Sequence, residues 1–124
     1  MNNEEQRQDK RINLVIDVKY HMSTYQNWLV APTLVAKTEN LSTGGVCLLT
    51  NTYIPVGSFL DLIFVIPETS ISIEVSGEII WNEKNIDDEY YTNGVKFLSL
   101  KNEEMELIGK FIDNATFDMR RCLK

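Results

Sequence analysis

From Ile12 onward the chain alternates. Ile12, Leu14, Ile16, Val18 and Tyr20 fall on one side of an extended segment, with Asn13, Val15, Asp17 and Lys19 on the other. A period of two with one apolar side predicts a half-buried strand. Polar residues 23–27 predict a loop. A second strand is expected from about Trp28 to Glu39 through Leu34-Val35-Ala36, with Pro32 marking an edge, a bulge or a strand start. Asn40-Leu41-Ser42-Thr43-Gly44-Gly45 interrupts it with turn chemistry. Val46–Thr50 then reads as a short strand, 51–57 as a loop holding Pro55 and Gly57, and Phe59–Ile66 as a strand stopped by Pro67. Ile71, Ile73, Val75, Gly77, Ile79 and Trp81 give the cleanest alternation, against Ser70, Ser72, Glu74, Ser76, Glu78 and Ile80. That row predicts a long antiparallel strand with one wet side. It places Trp81 with the apolar set, in the core or at a rim. A polar turn over 82–89 leads to a last strand, about Tyr90 to Leu98, with Val95 and Phe97 on one face.

After Leu100 the period lengthens. Met105, Ile108, Ile112 and Ala115 recur at helical spacing, widened by Leu107 and Phe111. Asn102 followed by Glu103 and Glu104 supplies a cap and acidic residues suited to a helix N-terminus. Six short strands followed by one helix predict an all-β fold with a C-terminal helix, organised as a small six-stranded antiparallel β-barrel. Residues 1–11 are expected to form a flexible N-terminal arm, and 12–124 the barrel with its helix.

Composition narrows the function. The 124 residues carry a net charge of −6. A long nucleic acid needs a broad basic face, so it is a poor partner for this chain, although a small anion gripped by a few arginines is not. There is no apolar signal core at the N-terminus and no apolar run long enough to span a bilayer, which predicts a cytoplasmic protein without membrane insertion. The two cysteines, Cys47 and Cys122, form neither a metal spacing nor a disulfide framework and are expected to be reduced thiols.

Two short motifs carry candidate chemistry. Arg7-Gln8-Asp9-Lys10-Arg11 is an R-x-x-x-R directly before the first strand, and Asn40-Leu41-Ser42-Thr43-Gly44-Gly45 is an N-x-S-x-x-G between the second and third. Arginine grips phosphate bidentately, meets the O6 and N7 acceptors of guanine, and stacks its flat face on a base. Asn40 and Ser42 stand at alternate positions of an extended segment, so both face the same side. Gly44 and Gly45 permit close approach of a ligand. Each motif alone is weak, but together their order and strand context agree.

On these residues the chain resembles the PilZ family. Arg7-x-x-x-Arg11 precedes the first strand, and Asn40-x-Ser42-x-x-Gly45 fits the family's [D/N]-x-S-x-x-G. Gly77-Glu78-Ile79-Ile80-Trp81 and the segment from Asn93 to Leu100 look like its late strands. The resemblance covers nearly the whole chain and looks like a stand-alone bacterial member. It implies a PilZ-like barrel that binds the second messenger cyclic di-GMP. By the same resemblance Arg7 and Arg11 contact phosphates and guanine, Asn40 and Ser42 contact guanine, Gly45 shapes the turn, and Trp81 is the candidate to stack on a guanine. Closure of the arm over the ligand then presents a new surface to a protein target, which the sequence does not identify.

Competing readings arise from the same residues. A PilZ-like adaptor that binds proteins and no nucleotide is disfavoured by the intact motifs. An oligonucleotide-binding barrel is disfavoured by the acidic balance. An enzyme has no supporting constellation, so neither catalytic residues nor a metal or cofactor is expected. His21 is expected to be a surface or satisfied residue, and Asp87-Asp88-Glu89 a solvated turn. The oligomeric state is open, since the helix stripe suits either its own barrel or a second copy.

Overall fold

The computed structural model describes residues 11–24, 32–87 and 89–122, with 116–122 followed as backbone only. The strands are β1 (Arg11–Asn13), β2 (Asp17–Met22), β3 (Leu34–Ser42), β4 (Gly45–Thr50), β5 (Phe59–Val65), β6 (Ser72–Lys84) and β7 (Tyr91–Phe97), followed by a helix α1 (Asn102–Cys122). Six of them close an antiparallel ring in the order β3-β2-β5-β6-β7-β4 and back to β3, with β1 added on β3. This is the expected six-stranded barrel with a C-terminal helix. Closure removes the free sheet edges that would otherwise invite pairing with another chain.

The expected first strand is broken in two. β1 and β2 both pair with β3, but the register advances by one residue between Asn13↔Asn40 and Asp17↔Lys37. Thr38 bridges the gap: its hydroxyl donates to the Leu14 carbonyl and accepts the Ile16 N–H at 3.0 Å. The slack exposes Val15 and leaves Leu14 and Ile16 packed against the core.

Inside the ring, the alternating apolar rows meet as one core. Leu48, Leu60, Leu62, Ile73 and Ile79 are fully shielded, and Phe64 lies 6.5 Å from Phe97, centroid to centroid. Burial raises the pKa of Tyr20 on the same face. Helix α1 lays Ile108 and Ile112 into this core and contacts β1 and β3. Met105, at the same spacing, is exposed instead. The helix start also differs from expectation by one residue. Lys101 takes the cap position: its N–H is accepted by Glu104 Oε1 at 3.1 Å, and its carbonyl accepts the Met105 N–H. Asn102 is therefore the first helical residue, and the glutamate supplies half of a capping box.

His21 is buried and satisfied. Its Nδ1 donates to the Met22 carbonyl at 2.9 Å, its Nε2 lies 3.5 Å from Asp61, and Asp61 accepts the Ser76 hydroxyl at 2.8 Å.

Candidate functional site

The register of the barrel fixes which residues meet on its outer surface. One inner row crosses five strands: Ile12, Leu41, Val46, Val95 and Ile79 are successive cross-strand partners, and all are buried. Because strand residues alternate sides, the row on one flank of it points outward. It runs Asn13, Asn40, Cys47, Gly94, Trp81. On the other flank Arg11 stands opposite Ser42, and Gly45 opposite Lys96. The two outer rows border a cleft of about 280 Å³ whose lining includes Arg11, Glu39, Asn40, Ser42, Gly45, Cys47, Trp81, Gly94 and Lys96.

Of the residues expected to form a site, Arg11, Asn40, Ser42, Gly45 and Trp81 are thus brought to one place. Arg7 lies outside the described residues. Arg11 is a strand residue, paired to Ser42, so the motif that precedes the barrel is anchored beside the N-x-S-x-x-G turn.

The turn is held from within. Gly44 and Gly45 both donate their N–H groups to Ser42 Oγ at 3.2 Å, and the Ser42 hydroxyl faces the Gly45 carbonyl at 3.3 Å. Ser42 is buried, so its first task is to fix the backbone that presents Asn40. Gly45 has no room for a side chain. A Cβ there would sit 2.2 Å from the Val95 carbonyl oxygen, and backbone cannot swing aside.

Trp81 corrects the alternation. Its place in the apolar row predicts a core or rim residue, but β6 slips one residue against β7 between Ile79 and Trp81. The extra residue, Ile80, reverses the facing of the residues beyond it. Trp81 is consequently 44% exposed. Its indole lies flat across β7, where a Cβ on Gly94 would come within 2.1 Å of Nε1. Gly94 leaves room for the ring, and the outward indole face borders the cleft.

Glu39, Cys47, Gly94 and Lys96 were not expected at the site. Alternation cannot locate a bulge, and a bulge at Glu39 is what turns β3 here: the register with β4 shifts between Thr38 and Asn40. Gly94, a lone glycine inside a strand, carried a readable sign of close approach. Cys47 is a buried free thiol whose Sγ lies 3.8 Å from Glu39 Oε2. Burial, then the Glu39 carboxylate, push the thiol up to about 11, with the Arg11 charge working the other way. Cys47 is therefore a protonated donor at neutral pH; the Cys122 side chain lies outside the described ones.

Arg11 and Lys96 are the cleft's described cations, and Glu39 its described anion. Two basic groups, polar side chains at alternate positions and an exposed aromatic ring suit a flat, polar, anionic ligand. Among the described residues no cluster of three or more His, Cys, Asp or Glu is placed to hold a metal, and no helix is long and apolar enough to cross a membrane.

Comparison with known proteins agrees with the fold. Residues 5–114 match the PilZ domain family model. No curated protein matches the sequence. Among solved structures, the inhibitor of motility MotI/DgrA of Bacillus subtilis superposes with a TM-score of 0.79 at 17% identity, covering 92% of this chain and 53% of that one. YcgR of Escherichia coli in complex with c-di-GMP gives 0.70 at 14% identity, covering 95% and 49%. The MrkH–c-di-GMP complex of K. pneumonia gives 0.70 at 16% identity, covering 93% and 53%. At these identities the likeness is one of fold, and the chain spans about half the length of each of these three proteins.

Proposed function

This chain belongs to the PilZ domain family, and from that premise we propose that it is a receptor for cyclic di-GMP. The observation that carries the reading is the convergence of Arg11, Asn40 and Trp81 on one outward cleft, held there by strand register. The ligand is a ring of two phosphates and two guanines. Arg11 supplies a guanidinium fork to a phosphate or to the O6/N7 edge of a guanine. Asn40 offers an amide to a guanine edge, Ser42 and Gly45 hold the turn that aims it, and the Trp81 face takes a stacked base. Solved complexes of YcgR and MrkH, which share the fold, contain the same ligand.

Arg7 completes the grip in this proposal. The segment before β1 closes over the bound ligand, and the closed segment and ligand together form a surface that a protein target reads. The protein acts by binding, in the cytoplasm, without catalysis or a metal.

Titration calorimetry tests the reading. Wild-type protein binds cyclic di-GMP saturably, and ligand at a hundred times Kd stabilises the fold by about 2.7 kcal/mol. Arg7→Ala and Arg11→Ala each weaken binding by about 1.5–3 kcal/mol, the usual loss for a charged hydrogen bond. A wild-type protein that gives neither heat nor a rise in Tm refutes the receptor and returns the chain to the adaptor reading.

A further inference from the structure

A carboxylate at the mouth of a site for a doubly negative ligand is out of place unless it meets something other than phosphate. Glu39 is that carboxylate. Without the bulge in β3, residues 39 and 40 would point to opposite sides of the strand. With the slip between Thr38 and Asn40, Leu41 turns inward to the core, while Glu39 and Asn40 both stand on the cleft side. Cys47, the partner of Asn40 across the ladder, donates its thiol proton toward the carboxylate Oε2 at 3.8 Å, a weak contact on the cleft side.

We propose that Glu39 reads the Watson–Crick edge of one guanine and sets the preference of the cleft for guanine over adenine. The inference rests on the receptor reading above. Guanine presents two donors side by side on that edge, N1–H and the N2 amino group, and the two oxygens of a carboxylate accept both. Adenine presents an acceptor at N1 instead, so its lone pair would face a negative oxygen, an unpaired and repulsive contact of the kind that builds specificity. Arg11 and Lys96 are left to the phosphates and the O6/N7 side. The carboxylate is thereby used where the ligand is rich in donors, and Coulomb repulsion from the phosphates is the opposing effect to be measured.

The experiment compares wild type, Glu39→Ala, Glu39→Gln and Arg11→Ala against cyclic di-GMP, cyclic di-AMP and cyclic di-IMP, whose hypoxanthine keeps N1–H and lacks the N2 amino group. Glu39 is exposed, so both variants should keep the wild-type Tm, which is measured alongside. Loss of the carboxylate lowers affinity for cyclic di-GMP about tenfold or more. It lowers affinity for cyclic di-IMP less, so the wild-type preference between the two shrinks. Glu39→Gln, with one donor and one acceptor, gains affinity for cyclic di-AMP. Unchanged or tighter cyclic di-GMP binding by both Glu39 variants, while Arg11→Ala still binds poorly, overturns the inference and leaves the receptor standing. An affinity loss with the guanine-to-hypoxanthine preference intact also overturns it, because the carboxylate then acts without reading the N2 amino group. Wild-type protein that binds none of the three ligands removes both proposals together.

Discussion

The β5–β6 pair and the β3–β4 pair stand across one barrel from each other, separated by β2 on one side and β7 on the other, and are built on opposite plans. In β5–β6, seven partners from Phe59↔Glu78 to Val65↔Ser72 run without a slip. Leu60, Leu62 and Phe64 go inward with Ile73, Val75 and Ile79, and no residue of that stretch lines the cleft. In β3–β4 the register jumps at Glu39, the turn is tied by a serine hydroxyl, and Gly45 presses against the backbone of β7. The second slip of this kind, at Ile80, lies where β6 leaves its regular pairing with β5 and reaches the cleft. An unbroken pleat hides one face and exposes the other at fixed intervals, which suffices for a core. Adjacent polar side chains on one face, or an outward tryptophan following an inward isoleucine, require the pleat to be interrupted. On the proposed reading of the cleft, stability and recognition are assigned to different stretches of the same sheet.

If that division is right, mutations on the two sides separate. Leu62→Ala empties a fully shielded position and lowers stability by about 2–5 kcal/mol, while the protein that remains folded keeps its ligand affinity; chemical denaturation and calorimetry report the two separately. A parallel loss of affinity would mean that the regular half also shapes the cleft. The two glycines sharpen the contrast. Gly45→Ala meets a carbonyl oxygen that cannot move and costs about 1–3 kcal/mol of stability. Gly94→Ala meets the exposed Trp81 ring, which can swing away, so Tm changes little and binding weakens as it does in Trp81→Ala. Equal Tm losses for Gly45→Ala and Gly94→Ala would show that the indole is as fixed as the backbone.

Alkaline pH separates the regions in another way. An unfolded thiol ionises near pH 8.5, roughly, whereas folded Cys47 holds its proton to about 11. Between those values the unfolded chain releases a proton that the folded chain keeps, so ionisation favours unfolding. The stabilisation is complete below the lower value and is lost as pH rises through the window, by about 3 kcal/mol in all. Melting curves from pH 8 upward should fall less steeply for Cys47→Ala than for wild type, while Leu62→Ala keeps the wild-type slope. The smallest effect belongs to the ion pair of Lys37 and Asp17 at 2.7 Å, with both side chains well exposed. Lys37→Met changes stability by less than about 1 kcal/mol, and salt removes even that.

The regular half was largely legible in the sequence. Ile73 to Ile79 alternate as residues and as structure, and the apolar run from Phe59 gives a strand whose end falls within a residue of expectation, but β6 runs on to Lys84, three residues past Trp81 and into the expected turn. The motif residues were legible because chemistry marks them: an arginine before a strand and N-x-S-x-x-G across a turn are seen without knowing the register. The breaks were not. The division at Leu14–Ile16 depends on a hydroxyl from Thr38, a residue distant in sequence, and the facing of Trp81 depends on where β7 lies. Glu39 reads as the polar end of a strand until the pairing of β3 with β4 shows that it shares a face with Asn40. Helix α1 shows the same limit in miniature, since Met105 keeps the spacing of the stripe but lies beyond the surface that covers Ile108 and Ile112.

The outward indole also gives this molecule its own optical reporter. The chain has two tryptophans, Trp28 and Trp81, and an aromatic ring half in water emits with an intensity that responds to whatever settles on its face. If the proposed stacking holds, a purine laid on Trp81 quenches that emission, and occupancy is then visible in native protein without a dye. Trp81→Phe silences the signal yet keeps an aromatic surface, and the Trp28 background that remains reports on a position away from the stacking ring in the sequence.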